Sequence, residues 1–448
     1  MAASLKNDFT VGNVVRQLAA FSVPTFFANA LQAMYGLADM IIVGQFVGEA
    51  GLSAIGLCSE IIVVLSAAST GLCTGGTVVL SQYVGRHDDN NQKSAIVTLF
   101  ALMLATAIVL SILGLVITPY IVHAVQTPPE AVNQAIKYMY YSCGGIVFIF
   151  GYNMVCAVLR GIGNSKIPMY VIGFASVSNV VLDFIFVGIW RMDAGGAALA
   201  TVIAQGTACF LSLFFLCKNG EIPLNTFLLK PERDKAILIL RVGIPNMLQV
   251  TLVHISLIFV GAMISIYGVT ASAASGIGQK MTSISILVRQ SIGAGVSAMT
   301  GQNMAVGKFD RVEKTVKAGV VFSFSASMLL SLTLWVFPEG VAGIFTKDAD
   351  VIHETVKYLR IIAISYIFMS PMTVFNSLAI GAGNARQSMV NSMLDAIVCR
   401  IPLCLIMDYC FGLSGLYIAT AISPLSATIS GAYYFIKKKW QNDYLIKP

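Results

Sequence analysis

A carboxylate set in apolar sequence must be paired, protonated or bound to a cation, and this chain places four there: Asp39, Glu60, Asp183 and Asp395. Two of them have company that could do chemistry. Asn179 precedes Asp183 by four residues, one helical turn away on the same face. Gln32, Tyr35 and Asp39 recur at spacings of three and four, so they share a face of one helix. Two carboxylates in a low-dielectric site resist simultaneous ionisation. Asp39 and Asp183 together could therefore take up a proton and lose it on rearrangement. The same oxygens, with Asn179 and Thr201, also suit a small hard cation such as Na⁺, and the residue types leave H⁺ and Na⁺ both open. Neither His-Glu-x-x-His nor Gly-x-Ser-x-Gly occurs, and no His/Asp cluster stands out, so the chain is not read as an enzyme.

Such residues need an apolar scaffold, and the composition supplies one. Hydrophobic residues make up 57% and charged residues 11% of the 448 residues, against roughly 45–50% and about 25% in ordinary globular proteins. Twelve apolar segments are long enough to cross a bilayer: 17–43, 52–84, 95–120, 131–159, 167–190, 195–217, 236–267, 272–305, 318–337, 356–380, 387–411 and 413–436. The runs are continuous without period-two alternation, which excludes a β-barrel. Segments 52–84 and 272–305 exceed what a bilayer needs, and each reads as one tilted or projecting helix. The fold class is thus an all-α polytopic membrane protein.

The formal charge of +7 does not build a nucleic-acid surface, because the cations are sparse and separated by long apolar runs. It reads as topology. Of 28 Lys and Arg, 20 fall on the side shared by the two termini, five lie opposite, and Lys280, Arg289 and Arg400 lie inside spans. Both termini are therefore expected in the cytoplasm of a multi-pass cell-membrane protein. No cleavable signal peptide is visible. The nine cysteines sit in or beside apolar spans without a Cys-x-x-Cys pair and read as small core hydrophobes.

The chain is also written twice. Val23-Pro24 and Ile244-Pro245 open spans one and seven. Gln82 is matched by Gln302, Gly161-Ile-Gly-Asn164 by Gly381-Ala-Gly-Asn384, and Gly196 to Thr201 by Gly415 to Thr420, all 219 to 221 positions apart. The expected domains are an N-terminal six-helix lobe over 1–217, a cytoplasmic linker over 218–235 and a C-terminal six-helix lobe over 236–448. Six spans per half give a parallel repeat, which favours two bundles that rock around a central cleft.

Depth along the spans puts Asp39, Asp183 and Thr201 in one outer-leaflet layer. The repeat supplies a control. Asp39 corresponds to Val260, Asn179 to Cys399 and Asp183 to Leu403, while Thr201 corresponds to Thr420. A half that folds with apolar substitutes does not need the acids for its scaffold, so they read as chemical. Glu60 and His254 are accessory candidates. Asp395 and Arg400 are five apart, about 140° around an α-helix, and cannot pair along one face. With Lys280 and Arg289 they are expected in cross-helix ion pairs, or against an anionic part of a substrate. Pro24 is a candidate hinge on the helix that carries Asp39.

These motifs carry a resemblance. The Pro24 span ending Tyr35-Gly-Leu-Ala-Asp39-Met-Ile-Ile-Val-Gly44, the Arg160-Gly-Ile-Gly-Asn164 turn, Asn179-Val-Val-Leu-Asp183, and Gln302-Asn303 with Gly307-Lys308 resemble the multidrug and toxic compound extrusion (MATE) family of secondary transporters. The likeness covers essentially the whole chain. It implies two six-helix lobes in a V shape that export amphipathic, mostly cationic organic compounds in exchange for H⁺ or Na⁺. It implies a coupling site at Asp39, Asn179, Asp183 and Thr201, as in prokaryotic members with acids in the N-terminal lobe. Gln32, Tyr35, Tyr138 and Asn153 match positions lining the substrate cavity. A second branch carries acids in spans seven and ten, where this sequence has none. The expected partners are small amphipathic substrates and the bilayer, with no nucleic acid, no cofactor beyond the coupling ion, and a monomeric chain. The rival function is a lipid-precursor flippase resting on Lys280, Arg289 and Arg400.

Overall fold

In the lipid core every backbone polar group must be satisfied within the segment, and long apolar runs answer that demand as helices. The computed structural model describes residues 6–124, 129–218, 226 and 229–446, without the side chains of 49, 50, 52–54, 57, 60, 123 and 124. All regular structure among these residues is helical. The helices are α1 (Val14–Phe46), α2 (Glu49–Gly85), α3 (Asp89–Ala124), α4 (Pro129–Gly161), α5 (Lys166–Asp183), α6 (Asp193–Lys218), α7 (Arg233–Ser265), α8 (Val269–Ala305), α9 (Phe309–Val336), α10 (Pro338–Phe345), α11 (Ala349–Ala382), α12 (Ala385–Met393), α13 (Ile401–Phe411), α14 (Leu413–Ile422) and α15 (Pro424–Ile436). A π-helical turn, Phe184–Ile189, extends α5, and a second, Leu394–Arg400, joins α12 to α13.

The predicted spans are all present as helical rods, with α12–α13 and α14–α15 each forming one rod. Eleven are long and apolar enough to cross a membrane. The remaining one, α8, is 37 residues long and is diluted by Gly, Ser, Lys280 and Arg289. The two over-long segments are continuous helices, as expected.

The Gly-x-Gly-Asn repeat is a helix stop and start. Gly163 and Gly383 take φ of 86° and 97°, a conformation only glycine adopts cheaply. Asn164 and Asn384 then donate their backbone N–H to Leu159 and Ala379, closing α4 and α11. Their side chains open the next helices, Asn164 Oδ1 accepting from Lys166 and Ile167 N–H and Asn384 Oδ1 from Gln387 N–H.

The chain forms two compact units, and their boundaries fall at the repeated prolines. One unit comprises the residues up to Asp8 with Val23–Ile244; the other comprises Phe9–Ser22 with the residues from Pro245 on. The start of α7 thus belongs to the first unit and the start of α1 to the second. In the first unit Gly75 of α2 lies so close to α7 that a Cβ there would sit 2.2 Å from the Ile239 carbonyl oxygen, and Gly243 abuts Gly71. Small residues permit that approach. Lys235 reinforces it by donating to Tyr83 Oη (2.7 Å) and Asn91 Oδ1 (2.6 Å).

The second unit repeats the device. Gly295 of α8, the counterpart of Gly75, receives Leu18, Ser22 and Phe21 of α1. Gln302 Oε1 accepts from Phe9 N–H (2.8 Å), and Arg311 donates to the carbonyls of Phe9, Val11 and Gly12. Leu18, Phe21, Met299 and Trp440 share the hydrophobic cluster there.

Candidate functional site

Four helices of the first unit contribute to one polar layer. Gln32, Tyr35 and Asp39 come from α1, Tyr138 from α4, Asn179 and Asp183 from α5, and Thr201 and Gln205 from α6. Asn179 Nδ2 donates to Thr201 Oγ1 at 3.3 Å, which ties α5 to α6. Gln205 Nε2 donates to Tyr35 Oη at 3.1 Å, which ties α6 to α1. Asp39 and Asp183 lie within electrostatic reach of each other, and both lie within reach of Tyr35 and Tyr138.

Burial sets the chemistry. Asp183 is fully buried, Asn179 is 1% exposed and Asp39 7%. Five oxygens here have no hydrogen-bond donor among the described residues: both carboxylate oxygens of Asp183, Asp39 Oδ1, Asn179 Oδ1 and Gln205 Oε1. Among the described residues no Lys or Arg forms an ion pair with either aspartate. A buried acceptor without a donor is costly, and a buried carboxylate without one far more so. Such a set of oxygens can take up a proton or a small cation. The π-turn begins directly after Asp183, and its irregular backbone breaks the α-helical ladder beside that carboxylate.

The second unit shows what this place looks like without the acids. Val260 and Leu403, the counterparts of Asp39 and Asp183, join Leu416, Tyr417 and Tyr358 in a hydrophobic cluster. Tyr358 is the counterpart of Tyr138, and both face the same point on the preceding long helix: Tyr138 is near Cys58 and Tyr358 is against Gly278, 220 positions on.

The other sequence candidates lie elsewhere. Asn153 is fifteen residues beyond Tyr138 on α4, roughly 22 Å along the helix, and donates to Ser69 Oγ of α2 at 3.2 Å. Pro24 lies in α1 one residue past the unit boundary. His254 is exposed on α7. The Glu60 side chain lies outside the described residues. Gln205 was missed by the sequence reading, although it stands one turn after Thr201, the same spacing that singled out Asn179 beside Asp183.

Asp395 and Arg400 require a correction. They do pair, Nη2 to Oδ2 at 2.8 Å, with both side chains at most 2% exposed. The π-turn from Leu394 to Arg400 is the reason, because i→i+5 bonding winds five residues into about one turn and aligns the two side chains. Ser423 completes the pair, donating to Asp395 Oδ1 (2.8 Å) and accepting from Arg400 Nε (3.1 Å). Among the described residues the expected cross-helix ion pairs do not form at the other cations: Lys280 is exposed, and Arg289 is buried with only neutral acceptors.

Comparison with known proteins places these features in a wider set. The MatE family model matches residues 24–185 and 245–406, so each matched copy opens at one of the repeated prolines. The chain is 29% identical over 434 residues to the "Probable multidrug resistance protein YpnP" of Bacillus subtilis strain 168, covering 97% of each. It is 23% identical over 437 residues to the "Probable multidrug resistance protein NorM" of Thermotoga maritima, covering 96% of this chain and 94% of that protein. Among solved structures, a MOP superfamily transporter from Pyrococcus furiosus superposes with a TM-score of 0.88 at 22% identity, covering 98% of each chain.

Proposed function

The chain belongs to the MatE family of membrane transporters, and on that premise we propose that it is a secondary antiporter. It exports amphipathic, mostly cationic organic compounds from the cell in exchange for H⁺ or Na⁺, by alternating access, with both termini in the cytoplasm. The observation that carries this reading is the fully buried Asp183, whose two carboxylate oxygens have no donor. An ion arriving from outside loads Asp183 with Asp39, Asn179 and Thr201, and its charge offsets the cost of the buried carboxylates. Loading alters the hold of α5 and α6 on α1, through the Asn179–Thr201 and Gln205–Tyr35 bonds. Strain on α1 is relieved at Pro24, where the helix lacks a backbone bond and passes from one unit to the other. Release of the ion to the cytoplasm resets the site.

Exchange of one H⁺ for one monovalent cation is electroneutral and draws only on the ion gradient. Each further ion adds about 2.3 kcal/mol per 100 mV. The flippase alternative loses support, because Arg400, one of its three cations, is neutralised by Asp395.

Transport in proteoliposomes with imposed H⁺ and Na⁺ gradients tests the proposal. A gradient of one of the two ions should drive export of a fluorescent organic cation in the wild type, and Asp183→Asn should reduce that driven flux at least tenfold. Unchanged driven export in the mutant removes Asp183 from the coupling site.

A further inference from the structure

Arg289 of α8 is the one buried charge in the second unit, among the described residues, that no acid offsets. It is 4% exposed. Its Nε donates to Ser285 Oγ at 3.2 Å, and its Nη1 to Thr373 Oγ1 at 3.3 Å and the Met369 carbonyl at 3.5 Å. These acceptors are all neutral and all at long range. Nη2 is buried and has no acceptor among the described residues. A guanidinium offers five N–H donors in a fixed fork and cannot discharge itself by losing a proton. Asp395 is within electrostatic reach, but its oxygens are taken by Arg400 and Ser423. Two buried arginines share one buried aspartate, and the balance is a single positive charge.

The repeat shows that the scaffold does not need this charge. Ser69 and Asn153 stand 220 positions before Arg289 and Thr373. In the first unit the same junction between the long helices closes with a neutral bond, Asn153 Nδ2 to Ser69 Oγ. The second unit places a charged fork where the first is content with an amide and a hydroxyl.

We propose that Arg289 is a receptor for a monovalent anionic group, a carboxylate or sulfonate, carried by an amphipathic substrate. The planar fork matches such a group two bonds at a time, and the open Nη2 supplies donors for it. Met369 and Thr373, which hold Nη1, are partly exposed, so the guanidinium lies one side chain below a surface that apolar parts of the ligand can cover. One uncompensated charge fits one negative charge. A diphosphate would need more, and Arg400 is already spent while Lys280 stands exposed nine residues away along α8. The inference goes beyond the antiport reading by adding anionic and zwitterionic molecules to its substrates.

Binding of dansyl-phenylalanine to the full-length protein in nanodiscs of neutral phosphatidylcholine tests the assignment, with the methyl ester of the same compound as the uncharged control. The wild type should bind the carboxylate at least tenfold tighter than the ester. Arg289→Met should bring the two affinities within twofold of each other without lowering the melting temperature, since an unpaired buried cation has been removed. Arg289→Lys, which keeps the charge and loses the fork, should retain part of the preference. Equal binding of acid and ester by the wild type overturns the proposal. So does a preference that persists in Arg289→Met, or a melting temperature that collapses in Arg289→Met and recovers in Arg289→Lys. Binding needs no gradient, so export of an organic cation from parallel proteoliposomes reports separately on the antiport reading.

Discussion

Asp183 pays for its place in free energy. Both its oxygens are buried without donors, and nothing in the packing of α5 requires a carboxylate there, because Leu403 fills the equivalent position in the other unit. Replacing it by leucine should therefore hold or raise the melting temperature in detergent while abolishing ion-driven export, a separation that a structural role would not give. Gln205 belongs to the same unit of chemistry. Gln205→Met removes the donor to Tyr35 Oη and one of the five orphan acceptors, so the concentration of coupling ion needed for half-maximal transport should rise by about tenfold or less, the loss of about one neutral hydrogen bond. An unchanged ion dependence in that variant would leave Gln205 as packing. The acids, Asn179 and Thr201 were legible in the sequence because polar side chains stand out in apolar spans and because the repeat lacks three of them. Gln205 carries no such mark, because it lies one turn from Thr201 rather than from an acid and gains its place only where α6 meets Tyr35 of α1.

At the scale of elements, two local devices decide where side chains go. The π-turn between α12 and α13 brings Asp395 and Arg400 together, and no sequence argument based on 100° per residue could have found that pair. Breaking it from one side leaves a buried arginine uncompensated. Asp395→Asn should cost about 3–5 kcal/mol, read as a clear fall in melting temperature, and Asp395→Leu with Arg400→Met should recover most of it. The second device is the glycine junction of α2 with α7. A Cβ on Gly75 would meet the Ile239 carbonyl oxygen at 2.2 Å, so Gly75→Val should cost about 1–3 kcal/mol or more from overpacking, measured as lost monodispersity and melting temperature. The equivalent Gly295→Val should cost less, because a Cβ there meets only side-chain ends, Leu18 Cδ1 at 2.8 Å first, which can shift. The long spans were legible as apolar runs, whereas the short α10 was not. The partners of the glycines were not, because a close approach is set by which helix arrives.

For the whole molecule, the repeat was visible in the sequence, but the division of the chain was not. The sequence divides at its polar linker, whereas the folded units exchange Phe9–Ser22 for the residues leading up to Ile244. Apolar patterning is blind to this, because the helical parts of the exchanged segments, Val14 to Ser22 and Arg233 to Ile244, read the same whichever unit they join. A chain cut after Lys218 should therefore yield two fragments that co-purify when expressed together, each completing the other's unit, and that accumulate poorly alone. Deleting residues 9–22 from the first fragment should lower recovery of the second, whose Gln302, Lys308 and Arg311 lose their partners. The exchange also has an ancestral meaning. Two copies of one six-helix chain that trade their first helical segments form a domain-swapped dimer, and a single connecting segment is enough to fuse it into one gene. The paired glycines at 75 and 295 would then descend from a single socket on the protomer, which received the same segment from its partner before the two were joined.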